Sequence, residues 1–255
     1  MITQNPRQSE NTEVTGTLYR EAYFPTFIYR CDFPDADALN EQLLDAIRRE
    51  KASDETRIEK SNLTDLGGWH SHDELHLQSD FRDFAKRVEK VAAEVSKQLN
   101  YSTECSTTID DMWSIVNPVG SYNRSHIHPG SLWSGVYYVQ APENCGAIKF
   151  TDPRTQNMIL SPQLNQDRPS AKGTWTSVQY DPYPGRLMLF PSWLYHAVEP
   201  NLTEEKGEAS ERVCISFNMT QSRNGSENQA EYRRAASSTA SHCPVSIMCR
   251  PRISR

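Results

Sequence analysis

Residues 125–140 read Ser125-His126-Ile127-His128-Pro129-Gly130-Ser131-Leu132-Trp133-Ser134-Gly135-Val136-Tyr137-Tyr138-Val139-Gln140. Two short stretches of strand-forming residues flank a Pro-Gly break. That is the grammar of an antiparallel β-sandwich or barrel. Residues i and i+2 of a strand point to the same side, so His126 and His128 project together, about 7 Å apart along the chain. Pro129-Gly130 ends the strand just beyond them and puts the pair at a barrel mouth.

The same grammar repeats downstream of residue 108. Strands are expected near Met112–Asn117, Ser125–His128, Ser134–Gln140, Ala147–Thr151, Met158–Leu160, Thr174–Gln179, Arg186–Phe190, Trp193–Val198 and Arg212–Met219. Upstream, two helices stand out. In Asp37–Lys51 the stripe is Leu39, Leu43, Leu44, Ala46 and Ile47; in Ser79–Asn100 it is Phe81, Phe84, Val88, Val91, Ala92, Val95 and Leu99. This is the spacing of helices buried on one side, with Asp37 and Ser79 as candidate N-caps. Helices first and strands afterwards give a mainly β fold with flanking helices: a double-stranded β-helix, the cupin-like jelly roll. Residues 17–220 form that single domain, between a flexible N-terminus (1–16) and a flexible C-terminal tail (221–255).

The 255 residues carry a net charge of -6, which argues against a general nucleic-acid surface. No run of 18 apolar residues occurs, and the six cysteines form no C-x-x-C pair. A cytoplasmic protein with reduced thiols, no membrane association and a small-molecule substrate is expected. The oligomeric state stays open, a homodimer included.

A third histidine, His196, lies in Ser192-Trp193-Leu194-Tyr195-His196, and Arg212 opens the apolar run Arg212-Val-Cys-Ile-Ser-Phe-Asn-Met. An H-x-H pair plus a distant histidine can close one face of an octahedral ion, although imidazole alone does not choose the metal. A guanidinium entering a barrel interior needs a partner, and a carboxylate matches its planar fork. The alternative for Arg212 is a surface position, or an ion pair with Glu199 or Glu211. A second group, Trp69-His70-Ser71-His72-Asp73-Glu74-Leu75-His76, falls between the helices; Trp69 and His70 are read as shaping a substrate pocket over the mouth. Trp133, Tyr137, Trp175, Tyr183 and Trp193 offer aromatic surface for a pocket wall and serve equally as core.

Several blocks in order now resemble a known family. They are Phe24-Pro25-Thr26-Phe27-Ile28-Tyr29, Ser61-Asn62, Gly68-Trp69-His70-Ser71, residues 126–139, Gly146 to Phe150, Asp152-Pro153-Arg154, Pro184-Gly185-Arg186, residues 193–201 and Arg212 to Asn218. Together they resemble the 2-oxoglutarate/Fe(II)-dependent oxygenase superfamily, and more closely a bacterial and phage family of oxygenases of mostly unassigned substrate. The resemblance implies Fe(II) at the barrel mouth, with 2-oxoglutarate as cosubstrate and O₂ as oxidant. His126 and His196 match the superfamily's two histidine ligands. His128 stands where its carboxylate ligand usually lies. It is read as the third ligand; the alternatives are a supporting role, with water or Asp152 completing the sphere, or a weakened site that only binds. Arg212 matches the anchor of the distal carboxylate. The serine of the superfamily's R-x-S pattern is Cys214 here, which leaves Ser216 as the nearby hydroxyl. Asn117 and Tyr138 are further candidates for cosubstrate contacts.

The implied activity couples 2-oxoglutarate decarboxylation to oxidation, hydroxylation by default, of a small-molecule or amino-acid-like substrate. A three-histidine dioxygenase independent of 2-oxoglutarate and a non-catalytic binding module are the rival readings.

Overall fold

The computed structural model describes residues 23–54, 68–154, 156–159 and 175–224, with 17, 19 and 163 besides. The expected flexible N-terminus and nearly all of the expected C-terminal tail lie outside them. The order is β1 (Tyr29–Asp32), α1 (Ala36–Ser53), β2 (Trp69–His70), α2 (Arg82–Gln98), β3 (Cys105–Asn117), β4 (Asn123–His126), β5 (Trp133–Gln140), β6 (Ile148–Thr151), α3 (Gln156–Ile159), β7 (Ser177–Tyr180), β8 (Arg186–Pro191), β9 (His196–Val198) and β10 (Arg212–Arg223). Among the described residues no helix is long and apolar enough to cross a membrane.

Among the described residues ten strands make two sheets, in the order β1-β8-β5-β10-β3-β2 and β4-β9-β6-β7. The jelly roll expected from the strand pattern is what forms. The larger sheet is covered on both faces, which is why β5 and β8 are buried almost throughout. Tyr137, Val139, Leu187, Leu189, Val213, Ile215 and Phe217 pack toward the helices, joining Leu43, Ile47, Phe84 and Val88 in one core. Val136, Tyr138, Met188, Phe190 and Cys214 face the smaller sheet and meet Ile148 and Phe150. Alternation along each strand thus separates a helix-side core from a barrel interior. Each fully buried Leu, Ile, Val or Phe contributes roughly 1.5–3 kcal/mol.

The helical stripes are buried as their spacing predicts, but the caps differ. The cap positions are Asp35 and Phe81, and neither side chain caps. Asp35 is engaged by Arg87 through two bonds of 2.8 Å instead. Asp37 lies inside the first turn of α1, where its charge still suits the helix dipole. The strand expected at Met158–Leu160 is replaced by the short helix α3 over its described residues. β10 runs to Arg223, past the expected domain end at residue 220, because it stays paired with β3 back to Cys105. β4 stops at His126 and β9 starts only at His196, so the H-x-H pair is half on a strand and half on the turn that follows.

Candidate metal and cosubstrate site

His126 and His196 are direct partners across the β4–β9 pairing. His128 reaches the same place from the turn, its backbone N–H donating to Ser192 O at 2.9 Å. One nitrogen from each of the three histidines lies within 4.8 Å of the others. The rings are close: 4.2 Å between centroids for His126–His196, 5.0 Å for His126–His128 and 5.2 Å for His128–His196.

All three imidazoles are held neutral, the form that ligates metal. Burial pushes His196 down to about 3, helped by the neighbouring His126 and His128 and opposed by its bond to Leu194 O. Burial and then His126 push His128 down to about 4. His126 is lowered by burial against a pull upward from Arg124 O.

Arg212 is 1% exposed. Its Nη1 donates to the carbonyls of Cys145, Gly146 (3.3 Å) and Glu199 (3.2 Å). The ion-pair alternative does not form: Glu211 Oε1 accepts from Lys51 at 2.8 Å, and Glu199 Oε1 from Gln179 at 2.7 Å. Nη2 is buried with no hydrogen-bond partner among the described residues. A cation with an unserved buried donor is costly unless an anion reaches it. Gly146 permits this arrangement. It has φ +93°, and a Cβ there would stand 2.1 Å from Glu199 O and 2.8 Å from Arg212 Nη1.

One cavity of about 90 Å³ joins the three histidines to Arg212. Asn117, Tyr138 and Ser216 also line it, as does Cys214, so the candidates expected around the cosubstrate share one space. Burial raises the Tyr138 hydroxyl and pushes the Cys214 thiol up to about 11, so both enter as neutral groups. Among the described residues no Asp or Glu lines the cavity. Asp152 is not among the clustered ligand atoms; its carboxylate accepts from Arg154 Nε and Nη2, each at 2.9 Å.

The residues expected to meet the substrate divide. His70 lines the cavity and stacks on Trp113 at 5.6 Å and 15°. Trp69 does not; it packs on the helix-side core and donates to Asp54 at 3.1 Å. Trp133 is 4% exposed in that same core, edge-on to Tyr29. Tyr137 is also there, while Trp175, Tyr183 and Trp193 are exposed, so none of the proposed aromatic wall forms it. Trp113, which also tilts against His128 at 5.9 Å, is the aromatic residue sequence reasoning missed. Its parity with Ile115 and Asn117 on β3 was the available signal.

Residues 111–218 match the family model described as "Putative 2OG-Fe(II) oxygenase". This stretch runs from within β3 to within β10 and holds every residue of the site except His70. The match covers 108 of the chain's 255 residues and points to the 2-oxoglutarate- and Fe(II)-dependent oxygenase class, for which iron and 2-oxoglutarate are the cofactors. No curated protein sequence matches the chain. Among solved structures, a Pseudomonas putida prolyl-4-hydroxylase is similar at TM-score 0.50 and 16% identity, over 78% of this chain and 94% of that one. The epimerase SnoN, in complex with Fe3+, alpha ketoglutarate and nogalamycin RO, is similar at TM-score 0.54 and 13% identity, over 78% and 81%. AviO1 from Streptomyces viridochromogenes gives TM-score 0.51 and 14% identity, over 76% and 90%. At such identities these three speak for the fold.

Proposed function

We propose that the protein oxidises a C–H bond of a second, small-molecule or amino-acid-like substrate, with hydroxylation as the default outcome. His126, His128 and His196 hold the iron, and Arg212 pairs with the distal carboxylate of 2-oxoglutarate. The observation that carries this is the unserved, buried Arg212 Nη2 on a residue that lines the same cavity as three neutral imidazoles. O₂ would be the oxidant: with iron and 2-oxoglutarate bound, one oxygen atom would go into succinate, with loss of CO₂, and the other into the substrate.

The chain's own residues bind and orient. Arg212 fixes the cosubstrate by its charge and fork geometry. Tyr138, Ser216 and Asn117 flank it with neutral polar groups. Ile115, Val136, Ile148, Phe190 and Val198 keep the cavity walls dry. His70, stacked on Trp113, meets the second substrate.

The test is anaerobic addition of Fe(II) and then 2-oxoglutarate to the full chain, followed by air. A visible charge-transfer band and succinate formation are expected, with both lost in His126→Ala. Neither band nor succinate from the wild-type protein overturns the reading. Oxygen uptake with a substrate but without 2-oxoglutarate would point to the three-histidine dioxygenase instead.

A further inference from the structure

The second nitrogens of the three histidines are served unequally. His126 Nδ1 lies 2.7 Å from Arg124 O, and His196 Nδ1 lies 3.0 Å from Leu194 O. A carbonyl only accepts, so each Nδ1 carries the hydrogen and each Nε2 keeps its lone pair for a metal. His128 has no such carbonyl. Its Nδ1 faces Asn218 Nδ2 at 3.4 Å. An amide nitrogen only donates, so here Nδ1 accepts and the hydrogen of the neutral ring sits on Nε2. A nitrogen bearing hydrogen offers no lone pair to a metal.

The Asn218 amide is itself held in this orientation. Its Oδ1 accepts from Ser134 Oγ at 2.7 Å, and Ser134 Oγ lies 3.0 Å from Ser192 Oγ. Its side chain also donates to the Asp111 carboxylate. Ser134, Ser192 and Asn218 are 2%, 0% and 6% exposed, so water is a poor substitute for these bonds. A half-turn of the amide would bring Oδ1 to His128 Nδ1–H and Nδ2 to Ser134 Oγ. Ser134 can accept that bond while donating to Ser192. The hydroxyls tolerate either orientation, and the Asp111 bond is what the turn gives up.

We propose that Asn218 is a positioning residue that makes His128 a conditional third ligand: the direction of its amide decides whether His128 presents a lone pair or a hydrogen to the metal. His126 and His196 are permanent ligands, fixed by backbone carbonyls. This rests on the three-histidine reading of the iron site. A merely structural Asn218 would satisfy buried polar groups without moving the hydrogen on His128.

The test is long-range proton–nitrogen NMR of the metal-free full chain with 15N-labelled histidine at neutral pH. His126 and His196 are expected as Nδ1–H and His128 as Nε2–H. Zinc(II), a diamagnetic probe, should convert His128 to Nδ1–H. Asn218→Leu removes the amide hydrogen that His128 Nδ1 accepts; it should raise the Nδ1–H fraction of His128 before metal is added and tighten zinc binding roughly tenfold, the size such outer partners carry. Asn218→Asp, which can only accept, should lock Nδ1–H, and Asn218→Leu carries the test if that variant does not fold. His128 already Nδ1–H in the metal-free wild type, or unmoved by zinc and by Asn218→Leu, overturns the proposal. Succinate formation reports on the oxygenase reading separately, so the two can fail independently.

Discussion

Gly146 and Arg212 are fitted to each other: the glycine's missing side chain is the space in which the guanidinium reaches the carbonyls of residues 145, 146 and 199. Gly146→Ala places a methyl against Glu199 O and Arg212 Nη1 on a backbone with φ +93°. Such strain costs about 1–3 kcal/mol. The expected outcome is a lower melting temperature and a KM for 2-oxoglutarate raised about tenfold or more. A variant with unchanged KM would show that Arg212 does not depend on this fit.

Arg212→Met keeps the length of the side chain and removes its charge. Truncating one partner of a buried charged pair costs about 2–5 kcal/mol, so the KM for 2-oxoglutarate should rise at least 30-fold, by roughly 1.4 kcal/mol per factor of ten. Zinc affinity of the histidine site should stay within about threefold, since the variant leaves all three imidazoles in place. Isothermal titration with zinc and initial-rate succinate assays separate the two effects.

The metal-free protein should lose stability as pH falls from about 6.5 toward 4. Folded His128 and His196 are pushed down to about 4 and about 3 from 6.5, so in that window the unfolded chain binds more protons. Asp111 opposes this. Its carboxyl is raised from 3.8 to about 6, chiefly by burial and then by Asp110 and Asp73 against its bond to Asn218, so its contribution is lost as pH rises through that range. The histidine displacements are each the larger and set the sign. Melting curves from pH 7.5 to 4.5, with and without zinc, check this; the metal should make the fall steeper, since it binds only the neutral imidazoles.

Asp111→Asn removes an ionised buried carboxylate and should stabilise the metal-free protein at pH 7.5 by about 1–2 kcal/mol, after discounting for partial exposure. The gain should vanish near pH 4, where the wild-type carboxyl is protonated. A gain that persists unchanged at pH 4 would mean that packing, not charge, is its source.

Much of this was legible in the strand pattern. The period of two on Arg212-Val-Cys-Ile-Ser-Phe-Asn already separates cavity residues from core residues. The apolar stripes of α1 and α2 already identify their buried faces. What the pattern could not give was the depth of Arg212, because a strand's first residue is exposed or buried according to the loops that cover it, here those holding Cys145 and Glu199. Trp69 and Trp133 went astray for the same reason: an aromatic side chain reads alike as core or as pocket wall until the sheet faces are known. Asn218 was invisible as a partner of His128, since the two are 90 residues apart. The caps failed because the Asp35 carboxylate is taken by Arg87, a contact no local rule contains.

β10 carries Arg212, Cys214 and Ser216 on one face and Val213, Ile215 and Phe217 on the other. A slip of one residue against β3 or β5 would exchange the two sets, driving the guanidinium into the helix-side core and emptying the cavity of its anchor. Folding errors and loss of activity are therefore the same event in this strand. Single-residue insertions or deletions in residues 212–217 should abolish soluble protein outright, whereas a lengthened loop between β9 and β10 has an escape the strand lacks.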